Sequence, residues 1–371
     1  MRPGATAMET DMLKPMRQYL VAWLMLVTCA APACAWSSKE HVLLTRLAAM
    51  GLLADPRTPE PMKQWLRDAL GEQRTIEQEK ELFLHGRVGI VPRGVDGLAY
   101  WSVMPDLIAD LERDRKLEPY GVNEGRLHYI DVEFFAPDPQ KRRYVDDLSG
   151  KPTLADFPRD MTDERYASAG MLPFAVERTY AQLVAAIRAG RLNDRPGQFP
   201  RDEHATRYAG WLAHYLQDNT QPHHATIDFR SHSYFPDTIR APNVHGDMEF
   251  RLVDDDKNDY PQLRAQLWDE LMAALERVED PVRSDDLWQA TIEVALISYD
   301  ALPMIGRAAR LAYPRASAAG PGPWDADAFF NYRGRYLGRE MTVLQMKAHQ
   351  LAWAVKRVQR VWRQAWAQGT R

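Results

Sequence analysis

The sequence predicts an all-α fold, on three observations. Apolar residues recur at spacings of three and four over long stretches, no run alternates convincingly enough to demand a large sheet, and turn-forming residues separate the periodic stretches. In chain order the helical stretches are 42–50, 171–189, 204–218, 260–278, 287–313 and 341–367, each carrying an apolar stripe at helical spacing. The intervening segments 86–96, 136–159 and 314–325 are rich in turn formers and are read as loops.

The first 35 residues read as a signal peptide. Lys14 and Arg17 precede an apolar run from Tyr19, and Ala33-Cys34-Ala35 has the small-x-small pattern of a signal-peptidase site. The apolar run is too short to span a bilayer. Cleavage after Ala35 leaves one domain, 36–371, in a periplasmic or secreted location. Both cysteines, Cys29 and Cys34, leave with the leader, so the expected mature chain has no disulfides. The formal net charge of −4 gives no general affinity for nucleic acid or anionic membrane.

Chemistry concentrates in two pairs. His214 and Asp218 stand four residues apart, as do His245 and Glu249, and on a helix this spacing places each pair on one face about 5–6 Å apart. One such pair arises by chance on many helices; two of them flanking His224 at a Gln-Pro break point to metal. Imidazole and carboxylate without thiol favour zinc. Cleavage after Ala35 would also expose Trp36, whose amino group and carbonyl can chelate a metal, with His41 five residues on.

With these residues in view, the sequence resembles the zinc-dependent phospholipase C and single-strand-specific (P-one type) nuclease superfamily. The resemblance rests on Trp36 with His41; Met104-Pro105-Asp106 followed by Leu127-His128-Tyr129-Ile130-Asp131; His214 through His224; and Asn243 through Glu249. A softer match is the helix around Leu344 to Trp353. It implies a multi-helix fold with a trinuclear zinc cleft. In that arrangement Asp106, His128, His214 and Asp218 hold one zinc ion. Trp36, His41 and Asp218 hold a second, and His224, His245 and Glu249 the third. Asp110, one turn beyond Asp106, and His223, beside His224, remain alternatives by spacing.

The activity implied is phosphodiester hydrolysis by a metal-activated water, with Asp106 also able to orient or deprotonate that water. Asp131, Asp228 and Asp247 are candidate partners for the second nitrogens of the histidines. Two substrates compete. Glu249, and the run from Asp218 to Ser231, favour a phospholipase C acting on phospholipid headgroups. Tyr129 and Asp131 stand where the nuclease branch binds a base, which supports a single-strand-specific nuclease or 3′-nucleotidase. The arginine that branch carries three residues after its first aspartate is Ala109 here, so Arg113 or Arg115 would have to serve. Outside this class stand a non-catalytic zinc-binding protein and a membrane-surface module built on the basic, aromatic stretch 355–366. That stretch is read as a helix packed through its Val and Trp residues with a solvated arginine face and, at most, transient membrane contact.

Overall fold

The computed structural model describes residues 37–89, 93–118, 121–137, 148, 150–193, 203–253 and 259–371. The expected signal peptide and Trp36 lie outside the described residues. From Ser37 onward the described chain is mostly helical, as the periodicity implies, with a single small hairpin.

The chain enters through α1 (Ser38–Ala54), whose start is fixed by a capping box between Ser37 and Glu40. Two shorter helices come next, α2 (Glu60–Leu70) and α3 (Ile76–Leu84), then α4 (Gly97–Arg113), capped by the Asp96 carboxylate. After the single turn α5 (Tyr166–Ala169) come α6 (Leu172–Arg188), α7 (Ala205–Asp218) and α8 (Val244–Val253). The C-terminal part contains α9 (Pro261–Arg277), α10 (Leu287–Tyr299), α11 (Leu302–Ala312), α12 (Ala326–Phe330) and the 27-residue α13 (Val343–Gly369).

The sequence stretch 287–313 is two helices rather than one. Pro303 has no N–H to donate to the Tyr299 carbonyl four residues back, and its ring clashes with that carbonyl in a continuous helix, so the chain caps at Asp300 and restarts at Leu302. The hairpin of β1 (Arg333–Tyr336) and β2 (Arg339–Thr342) also departs from expectation. Its turn residues, Leu337 and Gly338, both have positive φ, 51° and 75°, the two-residue turn that matches strand twist.

Helix α7 is central. It packs against α4 and α6, and α13 runs along α1, α6, α7 and α9. Gly210 lets α7 touch α4: a Cβ there would lie 2.6 Å from Trp101 Cβ and 2.9 Å from the Ser102 nitrogen. Trp65 of α2 stacks on Trp366 of α13 with ring centroids 5.5 Å apart and meets Trp362 edge-on. The arginines of α13 are not a solvated face. Arg357 is buried and paired with Asp280 at 3.3 Å, while Arg360 donates to the carbonyls of Arg283 (2.6 Å) and Ser284 (2.9 Å). Among the described residues no helix is long and apolar enough to cross a membrane.

Candidate metal centre

Helices α1, α4, α7 and α8 and two short 3₁₀ turns, Glu124–Leu127 and Pro222–Ala225, deliver eight of the nine expected ligands; the ninth, Trp36, falls outside the described residues. All eight are buried. Their donor atoms fall into three groups: His41, His214 and Asp218; Asp106, His128 and His214; and His224, His245 and Glu249.

The spacing around His214 fits a tetrahedral ion. His128 Nδ1 lies 3.0 Å from both His214 Nε2 and Asp218 Oδ2, and His214 Nε2 is 3.2 Å from that same oxygen. Asp106 Oδ1 stands 3.6 Å from each of the two imidazole nitrogens. Donors at ~2.0–2.1 Å around a tetrahedral zinc are roughly 3.3 Å from one another. The other Asp218 oxygen turns toward His41 Nε2 at 3.3 Å, and Asp106 Oδ2 faces the same nitrogen at 4.0 Å. One carboxylate thus faces two groups. In the third group His245 Nε2 lies 2.5 Å and His224 Nε2 3.8 Å from Glu249 Oε1, and His245 and Glu249 are one helical turn apart on α8.

What the protein leaves unmade is as telling. Asp106 Oδ2 and Glu249 Oε2 are buried without a hydrogen-bond partner, and both Asp218 oxygens are buried against imidazole nitrogens. Buried polar atoms in that state are costly, and a cation at their focus removes the cost. Residues of this chain could therefore hold metal ions.

Second nitrogens are assigned by the backbone and by glutamine. His214 Nδ1 donates to the Ser102 carbonyl at 2.7 Å, in the turn of α4 where Pro105 cannot take part in the helical ladder. His224 Nδ1 donates to the His128 carbonyl at 2.7 Å, and Ile130 N returns a bond to the His224 carbonyl at 3.0 Å, which ties the third group to the first. His41 Nδ1 donates to Gln217 Oε1 at 2.6 Å, and Gln217 Nε2 donates to Thr45 Oγ1 at 3.0 Å, which sets the amide's orientation. Each of these rings therefore presents a bare Nε2. The acids expected in this role do something else. Asp228 accepts from the backbone nitrogens of His232 and Ser233, Asp247 bonds the Tyr313 hydroxyl, and Asp131 touches none of the imidazoles.

Electrostatics follow burial. Desolvation lowers His214 to about 3 and holds His224 and His245 below the ordinary histidine value, so these imidazoles are neutral and ready to bind metal. Burial raises Asp106 to about 7, countered by His41 and His128. His128 is desolvated too, yet its contact with the Asp218 carboxylate lifts it to about 9.

Of the alternatives by spacing, Asp110 turns outward to Arg113 at 2.7 Å. His223 stacks on His245 with centroids 5.2 Å apart and meets Ser231 Oγ at 3.0 Å. Of the two arginines considered for the phosphate, Arg113 pairs with Asp110 at 2.7 Å, and Arg115 lies past the end of α4 with φ of 56°. Tyr129 is half-buried and backs onto Gly170, where a Cβ would lie 2.7 Å from its ring. Asp131 is held well above the usual carboxylate range by burial and by Glu133. The remaining histidines are structural or exposed: His204 caps α7 by accepting from Arg207 N at 3.2 Å, and His349 packs on Trp353.

Sequence reasoning missed three partners. Gln217 and Gln221 orient His41 and Glu249, the latter by a 2.7 Å bond from Gln221 Nε2 to Glu249 Oε1. Lys347, fully buried on α13, pairs with Glu40 at 2.7 Å and donates to the Met248 carbonyl. Gln217 adjoins Asp218 and Gln221 stands three residues from both Asp218 and His224, which is a usable signal; a lysine in the interior of an amphipathic helix gives none.

No protein-family model matches this sequence, and no curated protein matches it.

Proposed function

We propose that this chain is an exported phosphodiesterase that works with three zinc ions, and that its substrate is a phospholipid cleaved as a phospholipase C cleaves it. The observation that carries the reading is Asp218, a buried carboxylate whose two oxygens each face a different histidine group. A site built only to brace the fold is closed around a single ion; a carboxylate shared between neighbouring groups suits chemistry on an anionic ester. Zinc ions bound there would supply Lewis acidity to a phosphate oxygen and lower the pKa of a water.

The residues of the chain do the rest. His41, His214 and His224, each locked in the Nδ1–H tautomer, hold their lone pairs in fixed directions. Asp106 Oδ2, the oxygen without a hydrogen-bond partner, can accept from and orient a water. A nuclease acting on single strands is the second reading, favoured by Tyr129 and Asp131, an aromatic ring and a carboxyl one and three residues after His128, of the kind that could hold a base.

Parallel hydrolysis assays on phosphatidylcholine and on single-stranded DNA, with the zinc-loaded processed protein, test both. Release of phosphocholine is the expected result. Release of nucleotides alone moves the assignment to the nuclease, and turnover of neither contradicts the phosphodiesterase reading.

A further inference from the structure

Beside the third histidine group lies a cavity of about 690 Å³ that is basic, and no expected ligand lines it. Arg230, Arg240, His232, Asn243 and a single acid, Asp237, supply its polar wall, and Phe235 lies among its apolar lining. Two guanidinium groups against one carboxylate leave the wall positive. Among the described residues neither Arg230 nor Arg240 forms an ion pair, and Arg230 instead rests over the Phe229 ring at 5.2 Å. Phe229 in turn meets the His245 ring at 6.2 Å, so Arg230 stands between the cavity and the third group, and its charge reaches the His245 imidazole.

The loop that presents Arg230 is held rigidly. Asp228 accepts from His232 N at 2.8 Å and Ser233 N at 3.0 Å. Ser231 is buried in left-handed geometry with φ of 56°, its hydroxyl 3.0 Å from His223 Nε2. Tyr234 seats against α11 where Gly306 has no side chain; a Cβ there would fall 2.2 Å from the Tyr234 ring. Such a fixed loop limits the backbone ordering that binding at Arg230 has to impose.

We propose that this cavity is a binding subsite for a phosphate group, with Arg230 its principal donor and Arg240 its second. A planar guanidinium matches the oxygen geometry of phosphate bidentately, and an unpaired one gains most from it. The identity of the ligand rests on the phosphodiesterase reading; the basic cavity does not.

Calorimetric titration of inorganic phosphate into zinc-loaded protein tests the subsite apart from turnover. Arg230→Ala is expected to weaken phosphate about tenfold, with zinc content and melting temperature unchanged. Arg230→Lys should recover part of the loss, and Arg333→Ala, on the exposed face of the hairpin, should change nothing. Phosphate affinity within twofold of the parent in Arg230→Ala, at equal zinc content, overturns the proposal. Repeating the titration with phosphocholine and with a thymidine dinucleotide identifies the source, since only the true ligand class loses affinity in Arg230→Ala. Arginine-dependent phosphate binding in a protein that hydrolyses no phosphodiester would refute the function while upholding the subsite.

Discussion

At the scale of single residues, Asp218 and Glu249 separate two outcomes. Asp218→Asn removes the charge from a carboxylate that faces both His41 and the His128–His214 pair, so two ions should be lost together, and hydrolysis should fall at least a hundredfold. Glu249→Gln should cost one ion and spare the others. Metal analysis of the two purified variants checks this; equal losses from both would contradict the sharing of Asp218. Gln217→Leu leaves every ligand in place but frees the His41 ring from its 2.6 Å partner, and zinc affinity at that group is expected to drop 10- to 100-fold. Competition with a chromophoric chelator measures it.

Between elements, the contact of α7 with α4 is the most exposed to test. Gly210→Ala places a methyl against Trp101 and the Ser102 backbone, whose carbonyl holds His214 Nδ1. Overpacking should cost about 1–3 kcal/mol, read by urea unfolding, and should weaken zinc binding as the Ser102 carbonyl shifts. Lys347→Met on α13 leaves Glu40 buried without its cation and should cost roughly 3–5 kcal/mol, because the ion pair at 2.7 Å anchors the start of α1. Much of the architecture is legible in the sequence at this level. The pairs at 214–218 and 245–249 do lie on helices, because a four-residue interval carries its meaning with it. Helices α2, α3 and α8, of 11, 9 and 10 residues, give periodicity only two or three turns to register, α4 is interrupted by Pro105, and α10 and α11 merge in the sequence because Pro303 is a local signal that a long apolar stripe obscures. The hairpin, only four residues a side with mixed exposure, offers no alternation to read. The ring partners escape sequence reasoning, which looks to acids, since a backbone carbonyl such as that of Ser102 has no sequence signature.

The molecule as a whole is organised so that distant segments close on one buried cluster: α1 brings His41, α4 brings Asp106, the turn at 128 and helices α7 and α8 bring the rest, and α13 braces them through Lys347. An assembly of this kind is stabilised by ions that bind only the folded chain. With free zinc at about a hundred times the dissociation constant, each site adds roughly 2.7 kcal/mol, so chelation should lower the melting temperature substantially and zinc should restore it. The chain end expected at Trp36 adds a further test, since one extra residue ahead of it should empty the His41 group and leave His224, His245 and Glu249 loaded.

Zinc stoichiometry of the correctly processed protein, purified without a chelating tag, tests the central claim most directly. The account expects about three zinc ions per chain, falling to about one in Asp218→Asn. One ion or none in the parent protein would contradict it, and would mean that the buried histidines and carboxylates hold the fold without forming a working metal centre.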